Sequence, residues 1–215
     1  MPGANSLMAV VGRKRGRFIT REGVDGAGKS THLAWIAQYL KQDGREVIVT
    51  REPGGTPLAE KLRALVLAET MDPLSETLLM FAARAHHVQQ LILPALLRGA
   101  WVVCDRFTDA TAAYQGGGKG VSMELIRSLA QAAHFDLAPD QTLVFDCPYE
   151  VSRSRLSSSG RALDRFESEE RAFFERVRAT YREIGQSEPG RVRILDASKS
   201  ASQVKEEVKK ILITY

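Results

Sequence analysis

The run Gly23-Val24-Asp25-Gly26-Ala27-Gly28-Lys29-Ser30 fits the spacing G-x-x-x-x-G-K-[ST] of a phosphate-binding loop. Each member has a mechanical task. The glycines let the main chain wrap close to a polyphosphate so that successive N–H groups point inward. Lys29 reaches the β and γ phosphates, and the Ser30 hydroxyl can ligate Mg2+. The apolar stretch Phe18-Ile19-Thr20 precedes the loop, and Thr31 to Leu40 after it is helix-compatible, so the phosphates would also sit at a helix N-terminus. Gly23 to Thr31 are therefore the candidate contacts to a nucleoside triphosphate (Gly23, Val24, Asp25, Gly26, Ala27, Gly28, Lys29, Ser30 and Thr31), with Lys29 a candidate catalytic group.

A second set of residues suits a smaller phosphorylated ligand. Asp105 ends the apolar run Trp101-Val102-Val103-Cys104, where an acid would hold Mg2+ through water. Arg106 follows it, and Arg63 lies beyond Arg51-Glu52-Pro53-Gly54-Gly55. Guanidinium groups suit phosphate oxygens because their donor fork is planar and always charged. Singly, each arginine reads as a surface charge or an ion-pair partner; their places at strand ends favour a ligand. A switch protein that reads guanine usually carries Asn-Lys-x-Asp, and no such run occurs. His32, His86, His87 and His134 have no metal-ligand spacing, and no Ser/His/Asp or Cys/His constellation is visible.

The elements that must position these groups are legible as apolar runs at 18–21, 46–50, 101–104, 142–146 and 192–195. Between them, helical spacing covers 31–42, 57–67, 74–93, 122–133, 169–184 and 201–212. Strands alternating with helices predict an α/β fold, a five-stranded parallel sheet with helices on both faces. Ligands gather at the carboxyl ends of such strands. Glu22 to Asp25, Arg51-Glu52 and Asp105-Arg106 all fall there.

Composition narrows the partners. The chain has 215 residues with 30 basic and 26 acidic side chains. Arg13, Lys14, Arg15 and Arg17 lie in an acid-free beginning; without those four, 26 basic face 26 acidic groups, so the body is neutral and no nucleic-acid face is expected. Residues 1–16 read as a disordered basic extension, and 17–215 as one domain. The apolar stretch Leu7 to Val11 precedes the basic cluster, the reverse of a secretory signal, and is too short to span a bilayer. No membrane partner is expected. Cys104 and Cys147 lack C-x-x-C spacing and read as buried thiols of a cytoplasmic protein.

Five blocks together resemble the thymidylate kinase family, in its bacterial branch: Glu22 to Thr31, Thr50 to Thr56, Phe81-Ala82-Ala83-Arg84, Asp105-Arg106-Phe107 with Ala113 to Gly116, and Leu163 to Glu167. The match runs in order from about residue 17 to the C-terminus. It implies a P-loop nucleoside monophosphate kinase that moves the γ-phosphoryl group of ATP to dTMP, giving dTDP and ADP in dTTP synthesis. It also implies Mg2+ as cofactor and a homodimer. On the acceptor side, the resemblance has Asp25 accept from the 3′-hydroxyl and Arg63 and Arg106 hold the dTMP phosphate. Arg84 would donate to thymine O4, Thr111 and Gln115 would address the N3 edge, and Tyr114 would pack where a 2′-hydroxyl would sit. Glu52 and Pro53 join the acceptor contacts, and Asp196 the ATP contacts.

Two features depart from the family pattern. Met80, four residues before Arg84 and so on its helix face, stands where a base-stacking Phe is common. Either Met80 lies against the ring through its polarizable sulfur, or Phe81 rotates in, or Met80 merely fills a gap while Leu78, Phe81 and Val88 form core. Arg21 stands where an apolar residue is usual, and its partner is open. The resemblance also implies a lid at about 155–165, hinged at Ser157 to Gly160, that closes over ATP. Some relatives carry the transition-state arginine inside the phosphate loop, but Gly26 and Ala27 stand there. The lid must then supply it: Arg161 first, Arg155 next, with Arg165 structural or on the nucleotide phosphates. A kinase with another deoxynucleotide acceptor, or a nucleotide-driven switch, are the rival readings.

Overall fold

Valine, isoleucine and aromatic residues dominate five short runs that become the strands β1 (Phe18–Gly23), β2 (Val47–Arg51), β3 (Trp101–Asp105), β4 (Gln141–Asp146) and β5 (Val192–Asp196). The structure, a computed structural model, describes residues 15–42, 44–158, 166 and 170–213, without the side chains of Ser30 and Thr31. The sheet has the order β2-β3-β1-β4-β5, and every neighbouring pair is parallel. β1 lies at its centre and is buried along its whole length. Alternate residues point to opposite faces. Phe18, Val102 and Cys104 pack into one apolar cluster, while Ile19, Val103, Leu143 and Phe145 pack into another.

The helices are α1 (Lys29–Lys41), α2 (Pro57–Ala68), α3 (Pro73–His87), α4 (Leu93–Leu97), α5 (Thr108–Thr111), α6 (Met123–His134), α7 (Tyr149–Ser158), α8 (Arg171–Ser187) and α9 (Ala201–Ile213). Local chemistry starts several of them. Thr56 accepts from the Ala59 amide and Asp72 from the Leu74 and Ser75 amides, each just before a proline at the first helical position.

Three parts differ from the sequence reading. The helix expected to stop at Leu93 runs on to Leu97 through a π-helical turn, Val88–Ile92. Pro94 lacks an amide and its ring crowds the carbonyl of Gln90, and the wider turn accommodates both. A second π-helical stretch, Ala112–Gly118, follows α5 and carries Tyr114 and Gln115, a region with no clear period in the sequence. Helix α7 takes in Ser157 and Ser158, half of the expected hinge; Ser159 and Gly160 lie outside the described residues. Of the expected extension 1–16, residues 1–14 are likewise outside. Arg15 is bound to Asp140 by two bonds of 2.7 and 2.9 Å, and the Gly16 amide donates to Leu96 O at 2.9 Å.

The glycines of the second π stretch set how closely it lies on α8. A Cβ on Gly117 would come within 1.9 Å of Thr180 Oγ1, and one on Gly118 within 2.4 Å of Phe173 Cε2. Arg176 Nη2 donates to Gly118 O at 2.8 Å across the same contact. We therefore expect Gly117→Ala to cost about 1–3 kcal/mol by overpacking. In urea its midpoint should fall with the slope unchanged, and adding Thr180→Ala should recover part of the loss. An unchanged midpoint would show that the contact yields freely.

Candidate functional site

The carboxyl ends of β1, β2 and β3 open onto one cleft of about 680 Å3. The loop after β1 forms its floor. The chain turns through Gly26 (φ 74°) and Gly28 (φ 78°), left-handed conformations that glycine adopts without strain, and enters α1 at Lys29. No side chain caps α1. Its first amides are therefore directed at whatever anion enters the cleft. Lys29 Nζ donates to Gly23 O at 2.9 Å and Val24 O at 2.6 Å, and lies 3.4 Å from Asp25 Oδ1. Gly23 and Val24 thus serve through their carbonyls and do not line the cleft, whereas Asp25, Gly26, Ala27, Gly28 and Lys29 do. Burial, reinforced by Arg106 and Arg21, lowers the Lys29 ammonium to about 8 against the pull of Asp25 and Asp105.

The loop also explains its own missing arginine. A Cβ on Gly26 would meet Ser152 O at 2.5 Å, where Ser152 Oγ donates to Asp25 O at 2.6 Å. Ala27 is buried in the core. At Gly26 a side chain would clash with Ser152.

Carboxylates that line the same cleft hold the arginines at this rim. Arg21, 2% exposed, meets Asp105 with Nη2 at 2.6 Å and Nε at 3.2 Å, which supplies the partner that the sequence left open. Asp105 keeps 28% of its side chain exposed on the cleft. Burial works to raise its carboxyl, but Arg21, Arg106 and Lys29 more than offset this and hold it low. Arg106 Nη2 donates to Asp25 and, at 3.0 Å, to the Tyr114 hydroxyl, which itself donates to Asp25 Oδ2 at 2.8 Å. These partners outweigh burial and keep the Asp25 carboxyl well below its usual range. Arg106 has a left-handed backbone (φ 70°), a costly conformation for a side chain of this kind, fixed where its amide donates to Arg21 O at 2.9 Å. Beneath it, burial pushes the Glu22 carboxyl up to about 8, against the pull of Arg106; Glu22 accepts from the Phe107 amide at 2.7 Å and Tyr181 OH at 2.9 Å.

On the β2 side, Glu52 joins Arg84 Nε at 2.6 Å and His87 Nδ1 at 2.9 Å, all three side chains buried. His87 Nε2 continues to Thr50 Oγ1 at 2.7 Å. Burial would raise the Glu52 carboxyl, yet Arg84 and His87 leave it lowered. Arg84 Nη2 donates to Phe107 O and Thr111 Oγ1, both at 3.0 Å, while Nη1 is buried with no partner. Met80 lines the cleft; Phe81 does not, and lies under Arg84, whose guanidinium carbon is 4.7 Å from its ring centroid. Phe81 and Val88 are core, and Leu78 is exposed at 47%. Arg63, which donates to Pro53 O at 3.0 Å, lines the same wall with Glu52, Pro53, Thr111, Tyr114 and Gln115.

The far wall is less complete. Arg155 lines the cleft and donates to Ala197 O at 2.9 Å, but Arg161 and Arg165 lie outside the described residues. Asp196 does not line the cleft: it accepts from the Ser198 amide at 3.0 Å and from the Ser198 hydroxyl, and its neighbours Ala197 and Lys199 line the wall instead. Leu67, Ala110, Leu156, Ala201 and Val204 also line the cleft without having been singled out, and so do His32 and Phe166, which the sequence named for other reasons. Only His32, two residues after Ser30, carried a signal by its nearness to the loop. Phe166 belonged to the Leu163–Glu167 block, and the rest are brought in by tertiary packing over long separations.

Comparisons agree with this geometry. The family model described as Thymidylate kinase matches residues 22–208. A thymidylate kinase of Bordetella pertussis is 58% identical over 194 residues, 90% of this chain and 93% of its own length. One of Nitrosomonas europaea is 54% identical over 201 residues, 93% of each chain. The crystal structure of a thymidylate kinase from Ehrlichia chaffeensis superposes with a TM-score of 0.75 at 34% identity, covering 92% of this chain and 98% of that one.

The lowered Lys29 has a measurable signature. An anion that needs its charge must load a proton onto it once the free group is neutral. Affinity for a nucleoside triphosphate should therefore be level from about pH 7.5 to about 8 and fall about tenfold per pH unit above that. Calorimetry in buffers of different ionisation heat would report the proton uptake; a level profile to pH ~9.5 would contradict the assignment.

Proposed function

The chain belongs to the thymidylate kinase family and transfers the γ-phosphoryl group of ATP to dTMP, and we propose the following division of labour in its cleft. Asp25 to Thr31 cradle the ATP phosphates, and the Gly23 and Val24 carbonyls hold Lys29, which acts on the transferring group. Arg63 and Arg106 hold the dTMP phosphate, Asp25 accepts from the 3′-hydroxyl, and Tyr114 fills the space of a 2′-hydroxyl. Met80 covers the base, Arg84 donates to O4, and Thr111 and Gln115 meet the N3 edge. One observation carries this reading: the phosphate loop and Arg84, whose buried Nη1 has no partner, line one and the same cleft.

Phosphoryl transfer asks the protein for in-line placement and for compensation of charge on the γ oxygens. Asp105 and Ser30 would hold Mg2+, which neutralises phosphate charge when bound. The fit is supported by Asp105, whose carboxylate faces the cleft beside Lys29 and can accept from a metal-bound water beyond its bonds to Arg21. Among the described residues no cluster of three metal-ligating side chains occurs. Arg155 and Arg161 belong to the closing lid, at about 155–165, of a domain spanning 17–215. Arg155 is already at the wall, and with Gly26 and Ala27 in the loop the lid is left as the source of the transition-state cation.

The reading extends to a cytoplasmic homodimer. Exposed Leu58 and Leu65 on α2 and Leu74 and Leu78 on α3 support an interface there, and the buried free thiols Cys104 and Cys147 support a reducing compartment.

Coupled assays with dTMP, dUMP, dCMP and dGMP offered separately test the acceptor. Turnover should require dTMP, and acceptor-independent hydrolysis would overturn the reading. Arg161→Ala should lower kcat about a thousandfold with little change in the KM for dTMP. Near-normal turnover would transfer the role to Arg155 or Arg165.

A further inference from the structure

Gln115 is 2% exposed, and its Nε2 donates to Glu76 Oε1 at 2.8 Å. Glu76 lies two turns before Arg84 on α3 and is wholly buried, and its other oxygen accepts from Lys119 Nζ at 3.0 Å. A carboxylate facing an ammonium can only accept hydrogen bonds. The amide of Gln115 must therefore turn its nitrogen toward α3, which leaves Oε1 directed at the cleft that Gln115 lines.

We infer that Glu76 is a positioning residue that fixes the amide polarity of Gln115, so that a hydrogen-bond acceptor stands beside the donor Nη1 of Arg84. This rests on the base site proposed above. The pair then reads a carbonyl next to a ring N–H, the O4 and N3–H edge of thymine or uracil. Cytosine would present an amino group to the Arg84 donor and a lone pair to the Gln115 oxygen, leaving both buried groups unpaired. Such a mismatch is what lets a polar site reject a near-isostere strongly. A neutral side chain at position 76 would lose this directionality, because an amide both donates and accepts and Gln115 could then flip. Lys119, 14% exposed, supplies the counter-charge that a buried carboxylate needs.

The test compares kcat/KM for dCMP and dTMP in the wild type, Glu76→Gln and the double variant Glu76→Met/Lys119→Met. The last removes the charge together with Lys119 and replaces it with apolar contact, so it remains informative if the single change does not fold. In each folded variant the dCMP-to-dTMP ratio should rise about tenfold or more, carried by a higher KM for dTMP with kcat near wild type. A role in packing alone would depress both substrates in parallel and leave the ratio where it was, overturning the inference. A wild type that does not distinguish the two nucleotides would instead remove the base site itself.

Discussion

Charge at the rim of the sheet has to be compensated inside the protein before any substrate arrives. The parallel register sets Arg21 of β1 opposite Asp105 of β3, and Arg51 of β2 opposite the same Asp105. So the first three strands end in cations and acids at one height. An isolated buried charge costs several kcal/mol, and removing one member of a buried pair is severe for the same reason. The fold answers with three carboxylate–guanidinium pairs: Arg21 with Asp105, Arg106 with Asp25, and Arg84 with Glu52. All three carboxylates line the cleft together with the arginines they hold.

That grip gives the site its function. Planar guanidiniums held by two bonds cannot swing, so their remaining donors are aimed before binding and little ordering entropy is left for the ligand to supply. Arg21 and Arg84 each keep one nitrogen buried with no partner, the kind of orphan that a ligand oxygen satisfies. Strain is accepted in the same place. Arg106 takes a left-handed backbone so that its fork can reach Asp25 and the Tyr114 hydroxyl together.

The phosphate loop, the five strands and the chemistry at their ends could be read from the sequence because each is local: a motif of fixed spacing, or an apolar run closed by a charged pair. Arg21 was visible as an anomaly, but its partner lay in another strand and only the register brought them together. The choice between Met80 and Phe81 depended on the rotation of α3, which shows only in tertiary contacts such as that of its Arg84 with the Phe107 ring and not in spacing. Asp196 illustrates the reverse: it stands at a strand end like the others, yet its carboxylate turns back to cap Ser198. The π-helical stretch with Tyr114 and Gln115 was hidden because its three glycines erase any period. Glu76 and His87 looked like ordinary helix residues until the fold placed Gln115 and Glu52 against them.

Glu52 holds the Arg84 guanidinium at 2.6 Å, and whether dTMP feels that grip is the most direct question to ask of this cleft. A double-mutant cycle of Glu52→Gln and Arg84→Met on kcat/KM for dTMP tests this most directly. Each single change should be costly, and Glu52→Gln should add little once Arg84 is gone, a coupling of about 2 kcal/mol. Strictly additive losses would contradict it and assign the two residues separate tasks.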